Sequence, residues 1–461
     1  MVAGGRRERL GAGGSGLAVW ALVACNVASL ALLLRGFVDG GRRRGGGGAV
    51  RAAGTATKAD GARLPEDETA PEHAAVALAP DAVLSLELCV STTYSSPPRR
   101  SGDPTMYEAF WRQVGERAAT VIPGWQAMSY FSDAGALCWF LEPAFDREAR
   151  RLHRLVGNAV VDGYHLVVGN GATQLFQAAM YALSYDAAAA DKPVPVVSPA
   201  PYYSSYPPQT DIQLSGHFRW AGGDATAFST GAGDAEYIEL VCSPNNPDGA
   251  VRESSGAGSS KPIHDLVYYW PQYTPITERA AHDIMLFTLS KITGHAGTRL
   301  GWALVKDREV ARKMVYFVDR SSIGVSKDSQ LRAANILAVV SDSYYDELRG
   351  VPRLFDFARR RMAERWQALR AAVAASGAFS LQEVASGYCN FTNQIVTACP
   401  AFAWLRCEKE DVEDCAAFLA GHKIVARGGE QFGGDARCVR VNMLDRDQVF
   451  DMLVQRIAAI N

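Results

Sequence analysis

The sequence predicts an α/β protein with a largely parallel sheet, and three observations support this. Short apolar segments alternate with helical or loop segments between residues 164 and 305, which is the pattern of successive β-α-β units. Glycine-rich or polar motifs directly follow several of the apolar segments, as expected where such sheets bind ligands at the carboxyl ends of their strands. The chain of 461 residues also exceeds one typical domain and can bury a large core.

Six strands are expected in this region, because six segments are short, apolar and bounded by turn-forming residues. They cover residues 164–168, 194–198, 237–241, 263–265, 284–288 and 300–305. A helical pattern of apolar residues begins after the first of them, at Leu175. Further along, helical periodicity covers 336–370, and strand-like segments then end at 439–441. These later segments, with the residues before about 150, predict a second and smaller domain.

The N-terminal 80 residues differ from the rest. Residues 17–34 are mostly apolar, interrupted only by Asn26 and Ser29, and arginines flank them on both sides. A membrane-spanning helix needs about 20 apolar residues, with a lower limit of about 17, and arginines directly after the stretch argue against a cleaved signal peptide. We therefore expect a membrane anchor within residues 1–40 and a flexible Gly- and Ala-rich tether over 41–80.

Charge and cysteine content exclude several kinds of site. The formal net charge is −2 without a basic block in the globular part, so a nucleic-acid partner is not expected. The nine cysteines are scattered, without the spacing of a disulfide framework or a zinc site, so we expect reduced thiols and no metal. With the small excess of arginines after the apolar stretch, this favours an endoplasmic-reticulum anchor with the globular part in the cytosol. The lumen of the secretory pathway is the alternative.

The most informative motif surrounds Lys291. This lysine follows the apolar strand 284–288, enters a glycine-rich loop and precedes Arg299 by eight residues. Desolvation and a nearby cation lower the pKa of a lysine and make it a nucleophile for carbonyl groups. An enzyme that holds pyridoxal phosphate as a Schiff base requires such an amine. Because many lysines near glycines are only exposed loop residues, the interpretation depends on motifs upstream.

Three upstream motifs each follow a predicted strand. Residues 242–249 (CSPNNPDG) form a tight turn, and residues 264–268 (HDLVY) place Asp265 at a strand end. Residues 169–174 (GNGATQ) open the helical pattern, and a helix start with free N–H groups and a positive dipole end suits a phosphate. Any one of these could be only a turn or a tight connection; four in this order favour a cofactor site.

In this order the motifs resemble those of the fold-type-I pyridoxal-phosphate aminotransferases. More narrowly, 290–307 (SKITGHAGTRLGWALVKD), 243–249 and 128–133 (MSYFSD) are similar to the plant tryptophan aminotransferase and alliinase group, and more to its aminotransferase-related branch. The resemblance extends from about residue 102 to the C-terminus. It implies a large cofactor-binding domain with a mostly parallel seven-stranded sheet and a smaller α+β domain. The implied boundaries are 151–330 for the large domain, with 81–150 and 331–461 forming the small one.

The resemblance also implies roles for the residues that contact the ring of the cofactor. Lys291 would form the Schiff base and then act as the catalytic base, and Asp265 would keep the pyridine nitrogen protonated. Asn246 and Tyr268 would donate hydrogen bonds to the phenolic oxygen. An aromatic ring would stack on the cofactor, and Tyr203 is expected to supply it, with its neighbour Tyr202 the alternative.

Other residues are implied for the phosphate. It would lie on the backbone of Gly171, Ala172 and Thr173, with a hydroxyl from Thr288 and a charge from Arg299, whose planar fork matches phosphate oxygens.

Two further assignments concern the substrate and a partner. Arg440 would bind the substrate carboxylate through two parallel hydrogen bonds; the alternative is an exposed strand arginine. Tyr130 would reach the phosphate of a neighbouring subunit, which implies a homodimer. The chain departs from the family pattern at residues 88–101, a polar insert between the apolar segment 84–87 and a Gly-Asp-Pro turn at 102–104.

The resemblance implies an L-tryptophan:pyruvate aminotransferase that makes indole-3-pyruvate for auxin synthesis. The alternative is a carbon–sulfur lyase of the alliinase kind, acting on S-alkyl-cysteine sulfoxides. Alliinases carry a Cys-rich EGF-like module near the N-terminus, and only Cys89 and Cys138 lie in the corresponding stretch here, which favours the aminotransferase. A third hypothesis is an inactive, membrane-tethered binding protein. The intact Lys291, Asp265 and Arg299 argue against it.

Overall fold

Seven strands form the central sheet of the computed structural model, which describes residues 83–85, 104–185, 192–223, 236–255, 260–345 and 351–461. In chain order they are β2 (His165–Gly169), β3 (Val194–Val197), β4 (Phe218–Gly222), β5 (Tyr237–Cys242), β6 (Ser260–Asp265), β7 (Ile284–Thr288) and β8 (Gly301–Val305). Their order across the sheet is β2-β8-β7-β6-β5-β3-β4. Strand β8 runs antiparallel to both of its neighbours, and the other four pairs are parallel. The prediction of a mostly parallel seven-stranded sheet is confirmed.

Six of these strands were predicted and the seventh was not. Strand β4 is at the sheet edge, where Phe218 is buried but the next residues alternate between exposed and half-buried. Its sequence, FRWAG, therefore lacks the apolar run that identified the inner strands. By contrast, all five residues of β7 and of β8 are buried, as is typical of strands covered on both faces.

A smaller antiparallel sheet has the order β14-β15-β12-β9. Its strands are β9 (Phe379–Leu381), β12 (Phe402–Cys407), β14 (Arg427–Gly428) and β15 (Cys438–Asn442), and a separate hairpin joins β10 (Ser386–Cys389) to β11 (Gln394–Thr397). The short β1 (Leu84–Ser85) pairs in parallel with β13 (Ile424–Val425). The N-terminal segment therefore lies beside the C-terminal one, as expected for a small domain assembled from both. The exact domain boundaries stay a prediction.

Ten α-helices occur in the described part of the chain. They are α1 (Glu108–Val114), α2 (Pro143–Val156), α3 (Ala172–Ser184), α4 (Tyr206–Asp211), α5 (Leu289–Ile292), α6 (Arg308–Ser322), α7 (Lys327–Tyr345), α8 (Leu354–Ser376), α9 (Cys415–Gly421) and α10 (Asp447–Ala458). The helical periodicity predicted over 336–370 belongs to two helices, α7 and α8. Pro352 lies between them, and proline disfavours helical backbone at itself and at the preceding residue.

A disulfide joins Cys407, at the end of β12, to Cys415, at the start of α9, with their Cα atoms 5.7 Å apart. The expectation that all nine cysteines are reduced was therefore wrong. The tertiary path of the chain brings these two together, and their separation of eight residues carries no recognised disulfide pattern. Because disulfides favour oxidising compartments, one argument for a cytosolic globular part is lost. The compartment stays a prediction.

The predicted anchor at 17–34, the tether at 41–80 and the insert at 88–101 lie outside the described residues. Within the described ranges, none of the helices combines the length and apolar character that crossing a membrane requires. The same ranges contain no group of three or more His, Cys, Asp or Glu side chains placed to hold a metal ion.

Candidate active site

A cavity of about 230 Å³ lies where the central strands β5, β6 and β7 end. Residues from well-separated parts of the chain line it, and ten of the twelve predicted site residues are among them: Ala172, Thr173, Tyr203, Asn246, Asp265, Tyr268, Thr288, Lys291, Arg299 and Arg440. The fold therefore brings the four motifs to one place. Gly171 and Tyr130 are the two that do not line the cavity.

Lys291 lies in the last turn of the short helix α5, directly after the buried strand β7. Its backbone is held by a hydrogen bond, because the phenol of Tyr273 donates to the Lys291 carbonyl at 2.8 Å. The amide nitrogen of Gln272 donates to the next carbonyl, that of Ile292, at 3.1 Å. The Lys291 ammonium is 5.8 Å from the centre of the Tyr268 ring. The backbone that carries this amine is therefore held in place at the cavity.

Asp265 ends strand β6 at the cavity wall, where it is half-buried. The Tyr206 phenol donates to its Oδ2 at 2.8 Å, and the Val267 N–H donates to Oδ1 at 3.4 Å. Desolvation raises the pKa of Asp265 to about 6, against the opposing effects of these two hydrogen bonds and of the Lys291 charge. A carboxylate in such surroundings gains stability from a cationic partner placed in the cavity.

The phosphate end of the cavity is built around the start of α3. Gly171, the residue before the helix, has a φ of +80°, and no side chain caps the helix there. A Cβ on Gly171 would be 2.7 Å from Nη2 of Arg299, so only glycine allows this guanidinium to lie against the helix start. Arg299 itself is held by a hydrogen bond from Nη1 to the Ala296 carbonyl at 3.0 Å. Free helix N–H groups beside a guanidinium form an anion site.

Thr288 has a structural role in addition to lining the cavity. Its hydroxyl oxygen caps α5 by accepting from the Ser290 N–H, and it is 3.2 Å from both Ser290 Oγ and the Leu300 carbonyl. Ser290 also lines the cavity. Ser290 was not among the predicted residues, although its position directly before Lys291 was an available signal.

Arg440 is fully buried on β15, so its alternative as an exposed strand arginine is wrong. Its Nη1 donates to Oδ1 of Asn246 at 3.0 Å. The guanidinium lies 4.2 Å from the centre of the Phe402 ring and 5.2 Å from that of Phe432. Cation–π contacts and a hydrogen bond to a neutral amide both stabilise this buried cation.

The aromatic residues that line the cavity include one of the two candidate tyrosines and two residues that were not predicted. Tyr203 lines the cavity, whereas Tyr202 packs edge-on against Trp220 at 5.0 Å and is outside the lining. Tyr206 and Phe176, neither of them predicted, also line it, with their rings stacked at 5.2 Å. Phe176 lies in the first turns of the helix that follows the Gly-x-Gly motif, which was the available signal.

Tyr130 is 70% exposed and contributes nothing to the cavity of its own chain. Its predicted contact is with a partner subunit and stays a prediction.

The cavity fits pyridoxal phosphate in four respects. Its anion site has a cradle that a Cβ on Gly171 would fill. The partly desolvated carboxylate of Asp265 suits a protonated ring nitrogen. Lys291, whose amine could form a Schiff base, lines the same cavity. Aromatic side chains supply walls for a flat ring.

Comparison with known proteins agrees with this arrangement. A family model described as Allinase (Alliinase_C) matches residues 98–461. The chain is 57% identical to tryptophan aminotransferase-related protein 2 of Oryza sativa subsp. japonica, an alignment that covers 96% of this chain and 87% of the relative. The identity to tryptophan aminotransferase-related protein 2 of Arabidopsis thaliana is 52%, with 78% and 80% covered. An alliin lyase of Allium cepa var. aggregatum is 35% identical, with 77% and 79% covered.

Solved structures show the same fold at low sequence identity. N-succinyldiaminopimelate aminotransferase of Mycobacterium tuberculosis superposes with a TM-score of 0.55 at 17% identity, covering 82% of this chain and 94% of that one. A protein of Escherichia coli with methionine aminotransferase function gives 0.54 at 15% identity, with the same coverage. The fold is therefore that of the fold-type-I aminotransferases, as predicted.

Proposed function

This chain belongs to the alliinase family, and from that premise we propose that it is a pyridoxal-phosphate-dependent L-tryptophan:pyruvate aminotransferase. The products would be indole-3-pyruvate and alanine, and the first of these would serve auxin synthesis. The observation that carries the proposal is the meeting of Lys291, Asp265 and the Gly171–Arg299 anion site around one cavity. The higher identity to aminotransferase-related proteins than to alliin lyase supports the choice of reaction.

The residues of the cavity divide into those that hold the cofactor and those that act on substrate. When bound, pyridoxal phosphate supplies a carbonyl that condenses with amines and a ring that withdraws electrons from the substrate Cα. The start of α3 and Arg299 would hold its phosphate, and Asp265 would hold a proton on its ring nitrogen. Tyr203 would cover one face of the ring, with Asn246 and Tyr268 donating hydrogen bonds to its phenolic oxygen.

Lys291 Nζ would take the proton from Cα of the bound amino acid. Its backbone is anchored by Tyr273 and Gln272, so the amine explores only the positions that its own side-chain torsions allow. Holding a base in reach of its proton, rather than letting it diffuse, is a large part of how enzymes lower such barriers.

Arg440 would bind the carboxylate shared by the amino-acid and 2-oxo-acid substrates. Because both substrates use the cavity in turn, one guanidinium serves both half-reactions. Its contacts with Asn246 and Phe402 fix the orientation of the guanidinium plane. A bidentate pair with the substrate carboxylate would in turn orient the Cα–H bond of the substrate.

The proposed assembly is a homodimer. An irregular segment near residues 119–134 exposes several large apolar side chains, namely Val121, Trp125, Met128, Tyr130 and Phe131. Such clusters mark interaction surfaces, and a second copy of the chain that covers this segment would bring Tyr130 to the phosphate site of its neighbour. A molar mass of two chains from light scattering of detergent-solubilised protein supports this, and that of a single chain would contradict it.

We further propose that residues 17–34 anchor the enzyme in the endoplasmic reticulum membrane with its catalytic part in the cytosol; the lumen is the alternative. Protease treatment of intact microsomes decides between the two, because only a cytosolic catalytic part is degraded without detergent.

The proposed reaction is tested with the full-length protein in detergent. Tryptophan with pyruvate should yield indole-3-pyruvate and alanine in equal amounts, and S-alkyl-cysteine sulfoxides should yield little pyruvate. Rapid release of pyruvate from the sulfoxides, without a need for a 2-oxo-acid acceptor, would instead identify a carbon–sulfur lyase. Absence of cofactor absorbance in the purified protein would favour an inactive binding protein.

A further inference from the structure

A second, larger cavity adjoins the candidate active site. It has a volume of about 930 Å³ and is lined by residues of three segments, within 104–122, 293–298 and 328–332. Pro104 and Ala296 line both cavities, so the two share a wall.

The first cavity is small for a cofactor together with a complete amino-acid substrate. Pockets for a single drug-sized ligand measure about 300–1,000 Å³, and the first cavity is about 230 Å³. On the proposed function it must hold a cofactor and also the reacting end of an amino acid. A bulky side chain attached to that Cα would extend beyond it, and the adjoining cavity borders it at Pro104 and Ala296.

Two aromatic rings in the wall of the larger cavity are held in fixed positions. The indole N–H of Trp111 donates to the Thr293 carbonyl at 2.8 Å. The ring of His295 lies edge-on to that of Trp111 at 4.8 Å, and its Nδ1 is 2.9 Å from Thr293 Oγ1. Thr293 follows Lys291 by two residues, so these rings are attached to the same short segment as the catalytic amine.

The charge distribution of this cavity suits an uncharged aromatic group. Desolvation, with a smaller contribution from the Arg332 charge, lowers the pKa of His295 to about 4, so the imidazole is neutral near pH 7. The charged residues that line the cavity are Glu108, Asp328 and Arg332, and the last two are exposed at its rim.

We propose that the larger cavity, here called the side-chain subsite, receives the aromatic side chain of the amino-acid substrate, with Trp111 and His295 as specificity-determining residues. This inference rests on the proposed function. An indole placed beside Trp111 and His295 can adopt the edge-to-face or offset arrangements, with ring centres 4.5–7 Å apart, that aromatic pairs prefer. An amino acid with a methyl side chain would leave the subsite unused.

The test compares tryptophan with alanine, which share every contact except the side chain. Half-reactions of wild type, Trp111→Leu and His295→Leu with each amino acid are followed by the change in cofactor absorbance. We expect the second-order rate constant for tryptophan to fall about tenfold or more, and that for alanine to change less than twofold. Trp111→Phe should restore most of the loss. His422→Leu, at an exposed histidine outside both cavities, is the matched control.

A second readout does not depend on turnover. Indole-3-propionate has the aromatic group and a carboxylate but no amine, so it binds without reacting, and its dissociation constant is measured by calorimetry. The Leu variants should weaken its binding by a similar factor and leave that of propionate unchanged.

Equal losses in the rate constants for tryptophan and alanine would show that Trp111 and His295 have only a structural role. No loss for either amino acid would mean that the substrate side chain binds elsewhere. Both results overturn the inference while the aminotransferase assignment stands. A wild-type protein that reacts with neither amino acid would instead refute the proposed function, and with it the subsite.

Discussion

The phenol of Tyr206 donates a hydrogen bond to Oδ2 of Asp265 at 2.8 Å across 59 residues of sequence. Burial and the nearby carboxylate raise the pKa of Tyr206 well above its usual value, so the phenol stays a donor throughout the physiological range. Asp265 experiences opposite influences, since desolvation raises its pKa and Tyr206 lowers it. Cys242 and Lys291 are the other ionisable groups near this carboxylate. Tyr206 therefore favours the ionised form of Asp265.

Tyr206→Phe should raise the pKa of Asp265 further, because the variant removes a donor that stabilises the carboxylate. Hydrogen bonds to charged groups contribute roughly 1.5–3 kcal/mol, and one pKa unit corresponds to about 1.4 kcal/mol. We expect the acidic limb of the kcat/KM profile to move to higher pH by about one unit or more. Tyr316→Phe, at a half-exposed tyrosine of α6, should leave the profile in place. An unmoved limb in Tyr206→Phe would mean that another donor holds Asp265.

Asp265→Asn should retain the fold and bind cofactor, yet lose orders of magnitude in kcat, because a neutral amide cannot balance a pyridinium charge. Near wild-type turnover would show that Asp265 is only structural.

Asp265→Asn should also change the stability of the cofactor-free protein. The pKa of Asp265 is raised in the folded state from 3.8 to about 6, so the native state binds the proton more tightly than the unfolded one. Wild-type stability therefore falls as pH rises from about 4 to above 6, by at most about 3 kcal/mol and by less if water enters the cavity. Denaturant unfolding at pH 5 and pH 8 should show this fall in wild type and not in the variant.

Lys291→Ala should abolish turnover and covalent attachment of the cofactor while leaving a folded protein. In wild type, borohydride reduction should fix one cofactor per chain on the peptide that contains Lys291, as seen by mass spectrometry. Lys306→Ala, at an exposed lysine just after β8, should behave as wild type. Appreciable transamination by Lys291→Ala would refute the assignment of the catalytic amine.

Arg440→Lys should raise KM for tryptophan and for pyruvate alike, because lysine offers a point charge in place of a planar fork. The loss of charge-assisted hydrogen bonding, roughly 1.5–3 kcal/mol, corresponds to a fall in kcat/KM of about ten- to a hundredfold. Arg406→Lys, on the neighbouring strand β12 and exposed, is the matched control. If only one substrate were affected, another arginine would have to bind the common carboxylate.

Much of the candidate site was predictable because its signals are local. A lysine directly after an apolar strand, a Gly-x-Gly before a helix and an aspartate at a strand end are each recognisable within a few residues. Since parallel strands deliver their carboxyl ends to one edge of a sheet, such residues were expected to meet, and ten of the twelve line one cavity. Ser290 and Phe176 were missed although each lies within a few residues of a recognised motif, whereas Tyr206 was missed because tyrosines are common and no nearby motif distinguishes it.

The sequence by itself determined the inner strands, the turns and the helix starts, because burial periodicity and turn chemistry act over a few residues. Only the tertiary structure decided contacts between distant segments. Arg440 reaches Asn246 across 194 residues, and Cys407 meets Cys415 through the path that the chain takes between β12 and α9. Such pairings depend on how whole elements pack and on which face each side chain takes, and neither is encoded in a short stretch. The same holds for the side-chain subsite, whose walls come from three separate segments.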